Sequence, residues 1–243
     1  MHRKDFIRRS AILASAIGGA GLLPASAAKR QSQALELVVN AGVSGNNSNN
    51  LLKRIDSDCL VHKPTLTILM IGTNDMNNGK HVPPEKFRAN LEELSDKIIA
   101  GGSRLLLMTI LPFYEPYLLT RHPVEFFQPE GPSGKRTAMN ETIRNVATKK
   151  SASFFDVGVL FEKVGKIGTD KDSLLRNEEN SKKTDGVHPT PNGYRFLALA
   201  VSQFIQFQQL PVQRIVCFGD SITRGDGSVD GESYPAYLKK LLS

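Results

Sequence analysis

The sequence predicts an α/β protein built on one doubly wound parallel sheet. Three observations carry this reading. Apolar runs of strand length alternate along the chain with longer stretches of helical periodicity. The runs are continuously apolar, as strands buried on both faces are, rather than alternating with polar residues. Polar, Gly-rich segments follow several of them, where the ligand crevices of such sheets lie.

Leu35-Glu36-Leu37-Val38-Val39 reads as the first buried strand. Asn49 to Val61 reads as a helix with Leu51, Leu52, Ile55 and Leu60 on its apolar side, closed by Pro64. Leu66 to Ile71 is the second strand. Pro83 and Pro84 suit the first turn of a helix running to Ala100, which Gly101-Gly102 ends. Arg104 to Ile110 is the third strand, and a helix over Thr137 to Lys150 leads to a fourth at Ser153 to Val157. Thr190 and Pro191 read as cap and first position of a helix reaching Phe207. Arg214 to Phe218 is the fifth strand, and Tyr234 to Leu242 the last helix.

Two longer connections stand apart. Leu111 to Gly134 holds five prolines and the aromatics Phe113, Tyr114, Tyr117, Phe126 and Phe127. A loop of that length is either functional or pinned by its own hydrophobic cluster. Gly165 to Thr184 is polar and reads as a flexible loop.

The chain has 243 residues, 40% of them hydrophobic, enough for one domain with a sizeable core. No long apolar run follows residue 30, so a polytopic membrane protein is excluded. Two cysteines exclude a disulfide scaffold; Cys217 reads as a small core residue, and a bond to Cys59 is disfavoured. Residues 1–28 have the zones of an export signal: basic Arg3, Lys4, Arg8 and Arg9, a short apolar run from Ala11 to Leu23, and an Ala-x-Ala pattern after Pro24. Arg8-Arg9 resembles a twin-arginine signal. Cleavage there leaves a domain over 29–243, exported to the periplasm or the extracellular space, with no stable membrane insertion. It also removes part of the formal charge of +7. The remaining pairs Lys149-Lys150, Lys182-Lys183 and Lys239-Lys240 read as solvated faces, and no basic and aromatic stripe suggests a nucleic-acid groove. His62, His81 and His122 lack ligand-like spacing, so no metal site is expected.

Four short blocks carry chemistry. Gly219-Asp220-Ser221 follows a buried strand and can project a hydroxyl from the sheet edge. Such a serine needs a base, and His188 in Asp185-Gly186-Val187-His188-Pro189 is the candidate. Asp185, three residues earlier, can reach the imidazole Nδ1 across the turn and fix its tautomer. Acyl transfer also needs donors aimed at the developing oxyanion. Asn74, in Gly72-Thr73-Asn74-Asp75, offers a side-chain amide, Gly45, in Val43-Ser44-Gly45-Asn46, a backbone N–H, and Ser221 its own N–H. Asp75 and Asp220 read as turn-shaping residues. Tyr114 and Arg224 are candidates for lining the substrate groove.

Together these blocks resemble the SGNH hydrolases, the GDSL-type esterase and lipase superfamily, with Ser221, Gly45, Asn74 and His188 supplying the four letters. The resemblance covers almost all of residues 33–243. It implies a three-layer α/β/α, flavodoxin-like fold with five parallel strands. It also implies Ser221 as nucleophile, His188 as base, Asp185 as its orienting acid, an oxyanion hole of Ser221, Gly45 and Asn74, and no metal or organic cofactor. The block order departs from the family, in which the Gly-Asp-Ser block comes first. Here it comes last, so the chain reads as a circular permutant. Arg214 to Leu242 take the place of the family's opening strand and helix, joined through Gln206 to Gln213. A fragment of a tandem array, a misassembled gene and a swapped dimer exchanging Arg214 to Ser243 are the alternatives; the oligomeric state stays open.

The expected activity is that of an exported serine esterase, cleaving small-molecule or carbohydrate esters through an acyl-enzyme and removing small acyl groups such as acetyl from carbohydrate. A lipase, lysophospholipase or thioesterase is the alternative that the aromatic loop could support. A non-catalytic carbohydrate-binding protein is the alternative outside the hydrolases.

Overall fold

Residues 37–229 and 231–243 are described by the computed structural model. The expected export segment 1–28 and the start of the strand expected from Leu35 lie outside the described residues. Five strands form one parallel sheet: β1 (Val38–Gly42), β2 (Leu66–Met70), β3 (Arg104–Met108), β4 (Ser153–Phe155) and β5 (Ile215–Gly219), in the order β1-β5-β2-β3-β4. The strand latest in sequence therefore lies inside the sheet. Ile215–Gly219 pairs with Val38–Gly42 on one side and with Leu66–Met70 on the other. Counted from β5, the order becomes 2-1-3-4-5, that of the flavodoxin-like doubly wound sheet.

Alternate side chains of each strand enter opposite layers. Leu69, Leu105, Leu107, Val216 and Phe218 meet α1 (Ser48–Asp58), α2 (Pro84–Ala100) and, beyond a short α3 (Glu115–Leu118), α4 (Gly131–Lys149). Leu66, Ile68, Met70, Leu106, Ile215 and Cys217 meet α5 (Val157–Val164) and, past a single turn α6 (Glu178–Ser181), α7 (Pro191–Phe207). After β5 come the single turn α8 (Ser221–Arg224) and α9 (Tyr234–Leu242), which packs on α7 and β1. The architecture is three layers, α/β/α.

Helix starts follow their caps. Thr190 accepts from Gly193 N–H ahead of Pro191, and Ser233 accepts from Ala236 N–H ahead of α9. α1 opens on a reciprocal Asn47–Asn50 capping box, and Pro84 opens α2. Three expectations needed correction. The fourth strand stops at Phe155, because the Asp156 side chain accepts from Val159 N–H and starts α5, which Gly165 ends at φ 70°. The segment 111–134 is not one long loop: it holds α3, a 3-10 turn at Val124–Phe127 and the start of α4. Phe113, Leu118 and Phe127 are buried in the core, and each such side chain contributes on the order of 1.5–3 kcal/mol of burial. The segment is thus pinned by its own apolar residues. The polar stretch 165–184 contains α6, capped by Asn177 and Asn180. Cys59 and Cys217 are free buried thiols, and burial pushes them up to about 11 and about 12.

Candidate active site

The site lies beyond the carboxyl ends of β1, β5 and β2. After β5 the chain turns so sharply that a Cβ on Gly219 would overlap the Thr223 hydroxyl and the Met70 carbonyl. A Cβ on Gly42 would likewise overlap the backbone of Thr223 and Arg224. Only glycine at both strand ends lets α8 sit this close. The buried Asp220 accepts from Ile222 N–H at 2.9 Å and caps α8, which leaves Ser221 as its first residue. Burial pushes the Asp220 carboxyl up to about 7.

His188 sits on the connection between α6 and α7. That connection is held by backbone bonds from Arg176 N–H to His188 O at 2.9 Å and from Thr190 N–H to Leu174 O at 2.8 Å. His188 Nε2 is 3.0 Å from Ser221 Oγ, and Nδ1 is 3.0 Å from both carboxylate oxygens of Asp185. Asp185 Oδ1 also accepts from the N–H groups of Val187 at 3.0 Å and His188 at 2.9 Å, closing the turn around Gly186 (φ 68°). Burial works against the Asp185 charge. The His188 ring and the two backbone donors outweigh it and bring the carboxyl down to about 2. An ionised Asp185 with the Nδ1 proton against it turns the Nε2 lone pair toward Ser221.

Asn74 follows β2 and donates from Nδ2 to Asn46 O at 2.8 Å, which fixes the amide against the Gly45–Asn46 turn. A primary amide has two N–H groups; among the described residues the second makes no hydrogen bond, and Asn74 borders the cavity of the site. Gly45 adopts φ 77° at that turn. Ser221, Gly45, Asn74, Asp185 and His188, far apart in sequence, border one cavity of about 640 Å³. A second cavity, of about 670 Å³, shares Asp185, His188, Arg176 and Asp226 with it and includes Arg224. Arg224 donates from Nη1 to Ser44 Oγ at 3.0 Å, and Ser44 Oγ donates to Asp226 at 2.5 Å. Tyr114 borders neither cavity. Its N–H donates to Gly186 O at 2.8 Å and its ring meets Tyr117 edge-on, so it braces the back of the His188 turn.

Sequence reasoning missed the residues that hold these pieces together. Arg54 donates to Asn46 Oδ1 at 2.7 Å, Ala41 O at 3.0 Å and Gly219 O at 2.7 Å, and lies over the Phe218 ring. It thereby ties the ends of β1 and β5 to the Gly45 turn. Its signal was a cation one turn after Leu51 on the apolar side of α1. Arg176 donates to Asp185 Oδ2 at 3.2 Å, and Arg121 to the carbonyls of Thr184 at 2.8 Å and Asp185 at 2.6 Å. Both come from polar connections without a periodic or motif signal.

The GDSL-like lipase/acylhydrolase family matches residues 12–196, a span that includes Gly45, Asn74, Asp185 and His188 and stops short of Ser221. An acetylxylan esterase of Geobacillus stearothermophilus is 28% identical over 181 residues, 70% of this chain and 73% of that one. The uncharacterized lipoprotein YqeF of Bacillus subtilis (strain 168) is 28% identical over 172 residues, 66% of this chain and 70% of that one. The solved lipase/acylhydrolase of Enterococcus faecalis shares the fold with a TM-score of 0.52 at 18% identity, over 70% of this chain and 75% of that one. The parallel sheet, the blocks at its carboxyl end and a match over most of the length agree: the chain belongs to the GDSL-like lipase/acylhydrolase family, whose members are ester hydrolases of the SGNH type.

Proposed function

We propose that this chain is an exported serine esterase that removes small acyl groups, acetyl first among them, from carbohydrate. The observation that carries the reading is the continuous path from Asp185 through His188 to Ser221, with 3.0 Å at both of its links. In the proposed reaction Ser221 Oγ attacks the ester carbonyl carbon while its proton passes to His188 Nε2. The carbonyl electron pair moves to oxygen, where the N–H groups of Ser221 and Gly45 and the free Asn74 N–H receive it. Collapse expels the alcohol, which takes the proton from His188 and leaves an acyl-serine. Water, deprotonated by His188, then releases the acid and restores Ser221. Asp185 holds the imidazole tautomer and offsets the imidazolium charge.

Carbohydrate deacetylation is supported by the acetylxylan esterase among the relatives and by the cavity itself, which is bordered by Thr73, Asn77, Asn78 and Thr184. The long-chain alternative loses its main support because the aromatics Phe113 and Phe127 point into the core rather than forming an acyl groove. Export rests on the zones of residues 1–28, and the permuted order on the placement of β5 between β1 and β2. Hydrolysis of p-nitrophenyl esters of increasing chain length, by the wild type and Ser221→Ala, tests the reading. Turnover is expected for acetate, falling with chain length, and absent in the variant. No turnover of any ester, acetylated oligosaccharides included, would leave the binding-protein alternative.

A further inference from the structure

The sequence shows its cations as scattered, solvated residues, but the fold gathers several around the proposed site. Lys80 comes from the segment after β2, Arg121 from the turn after α3 and Lys183 from the segment after α6; all three are exposed and border the Ser221 cavity. Arg176 borders it too, but its charge is matched by Asp185.

The acids of the cavity do not offset the other three. Asp185 is engaged by His188 and Arg176. Asp226 accepts from Ser44 and lies 3.7 Å from Arg224 Nε. Arg121 spends its donors on two backbone carbonyls, which hold the guanidinium in place without neutralising it. Among the described residues, the side chains of Lys80 and Lys183 make no hydrogen bond or ion pair. Lys80 Nζ stands over the Gly45 turn, close enough that a Cβ on Gly45 would run into it. Three uncompensated cations on three separate segments around one concave site focus a positive potential there.

We propose that Lys80, Arg121 and Lys183 form an anion subsite, and that the preferred substrate is an O-acylated acidic carbohydrate, one whose uronic acid carboxylate sits near the ester that is cleaved. This rests on the esterase reading above and adds the charge of the alcohol moiety to it. The carboxylate is present in substrate and transition state alike, so its contacts are uniform binding and act on KM more than on kcat. The cations are exposed, so the preference is screened by salt.

The test compares acetylated oligogalacturonide with acetylated xylo-oligosaccharide of equal length, for the wild type and for Lys80→Gln/Lys183→Gln. The readout is the ratio of kcat/KM for the acidic over the neutral ester, which cancels any general loss of activity. The wild type is expected to favour the acidic ester, mainly through KM. The double variant should lower the ratio about tenfold, and 0.5 M salt should lower the wild-type ratio by a similar factor. A wild-type ratio near one, or a ratio the variant leaves unchanged, overturns the subsite while leaving the esterase reading intact. A higher kcat/KM for lysophosphatidylglycerol than for either sugar overturns it as well. Calorimetric binding of deacetylated oligogalacturonide and xylo-oligosaccharide to Ser221→Ala reads the subsite without turnover. If acidic binding persists there while the wild type hydrolyses nothing, the esterase reading falls and the subsite stands.

Discussion

Asn74 divides its amide between two tasks. One N–H goes to Asn46 O at the Gly45 turn, and in the proposed reaction the other serves the oxyanion in the cavity that Asn74 borders. A donor that meets charge only as it develops contributes to the transition state and little to ground-state binding. Asn74→Ala is therefore expected to lower kcat by about 10²–10³ with KM nearly unchanged. Steady-state kinetics on p-nitrophenyl acetate checks this, and an unchanged kcat removes Asn74 from the hole. At this scale the sequence was most informative where chemistry dictates residue type. Ser221, His188, Asp185, Gly45 and Asn74 border one cavity because each sits in a short motif at a strand end or helix entry. Arg54, Arg176 and Arg121 were not legible, because a guanidinium that holds carbonyls and carboxylates has no required spacing to its partners. Tyr114 drew attention as an aromatic in a long loop, and its place behind the Gly186 turn depends on tertiary packing alone.

Between elements, Asp75 joins the segment after β2 to the start of α1. Its Oδ1 accepts from Ser48 N–H at 2.9 Å, while Oδ2 is buried with no hydrogen-bond partner among the described residues. Burial dominates over the Ser48 contacts and pushes the carboxyl up to about 6. The raised value sets the sign of the pH dependence. Below the ordinary carboxyl value near 3.8, both the folded and unfolded chain hold the proton. Between there and about 6 the unfolded chain has released it while the folded chain keeps it, so stability falls as pH rises and levels off above that window. A shift of this size corresponds to roughly 3 kcal/mol. Asp75→Asn keeps the Oδ1 acceptor and cannot ionise. Only the part of the window above pH 4.5 is sampled, so the stability difference between pH 4.5 and 7.5 should shrink by roughly 2 kcal/mol relative to wild type. Urea unfolding at both pH values measures it. Comparing the two pH values cancels the fixed cost of an unpaired amide N–H at the former Oδ2 position. An identical pH dependence in both proteins would mean that Asp75 is ionised throughout. Elements with both a periodic apolar face and a cap, such as α7 and α9, were legible to the residue. α5 was not, because its apolar opening Val157-Gly158-Val159-Leu160 continues the strand pattern of Phe154 and Phe155, and the Asp156 cap that divides them is a single residue.

On the scale of the whole molecule, residues 209–243 supply an inner strand, the proposed nucleophile and a helix of one outer layer. Every backbone pairing of β5 is to a strand far away in sequence, and Val216 and Phe218 enter one core layer while Ile215 and Cys217 enter the other. Removing the segment would strip β1 of its only partner strand among the described residues and leave β2 an edge. The truncated chain is expected to show no cooperative unfolding transition and no ester hydrolysis. The proposed permutation makes the opposite prediction for moving the segment instead of deleting it. A site assembled in space is indifferent to chain order, and surface connections tolerate cutting and rejoining. The new junction would link α9 to β1, elements already in contact. A chain that runs from 209 to 243, through a short Gly/Ser linker, into 37–208 should regain the folded transition and hydrolyse p-nitrophenyl acetate within about tenfold of the natural order. Thermal melts and initial rates on the two constructions decide the matter. A truncated chain that folds and hydrolyses would take the nucleophile away from Ser221. A reordered chain that folds without activity would mean that the permuted order is itself needed to set the Ser221 turn against His188.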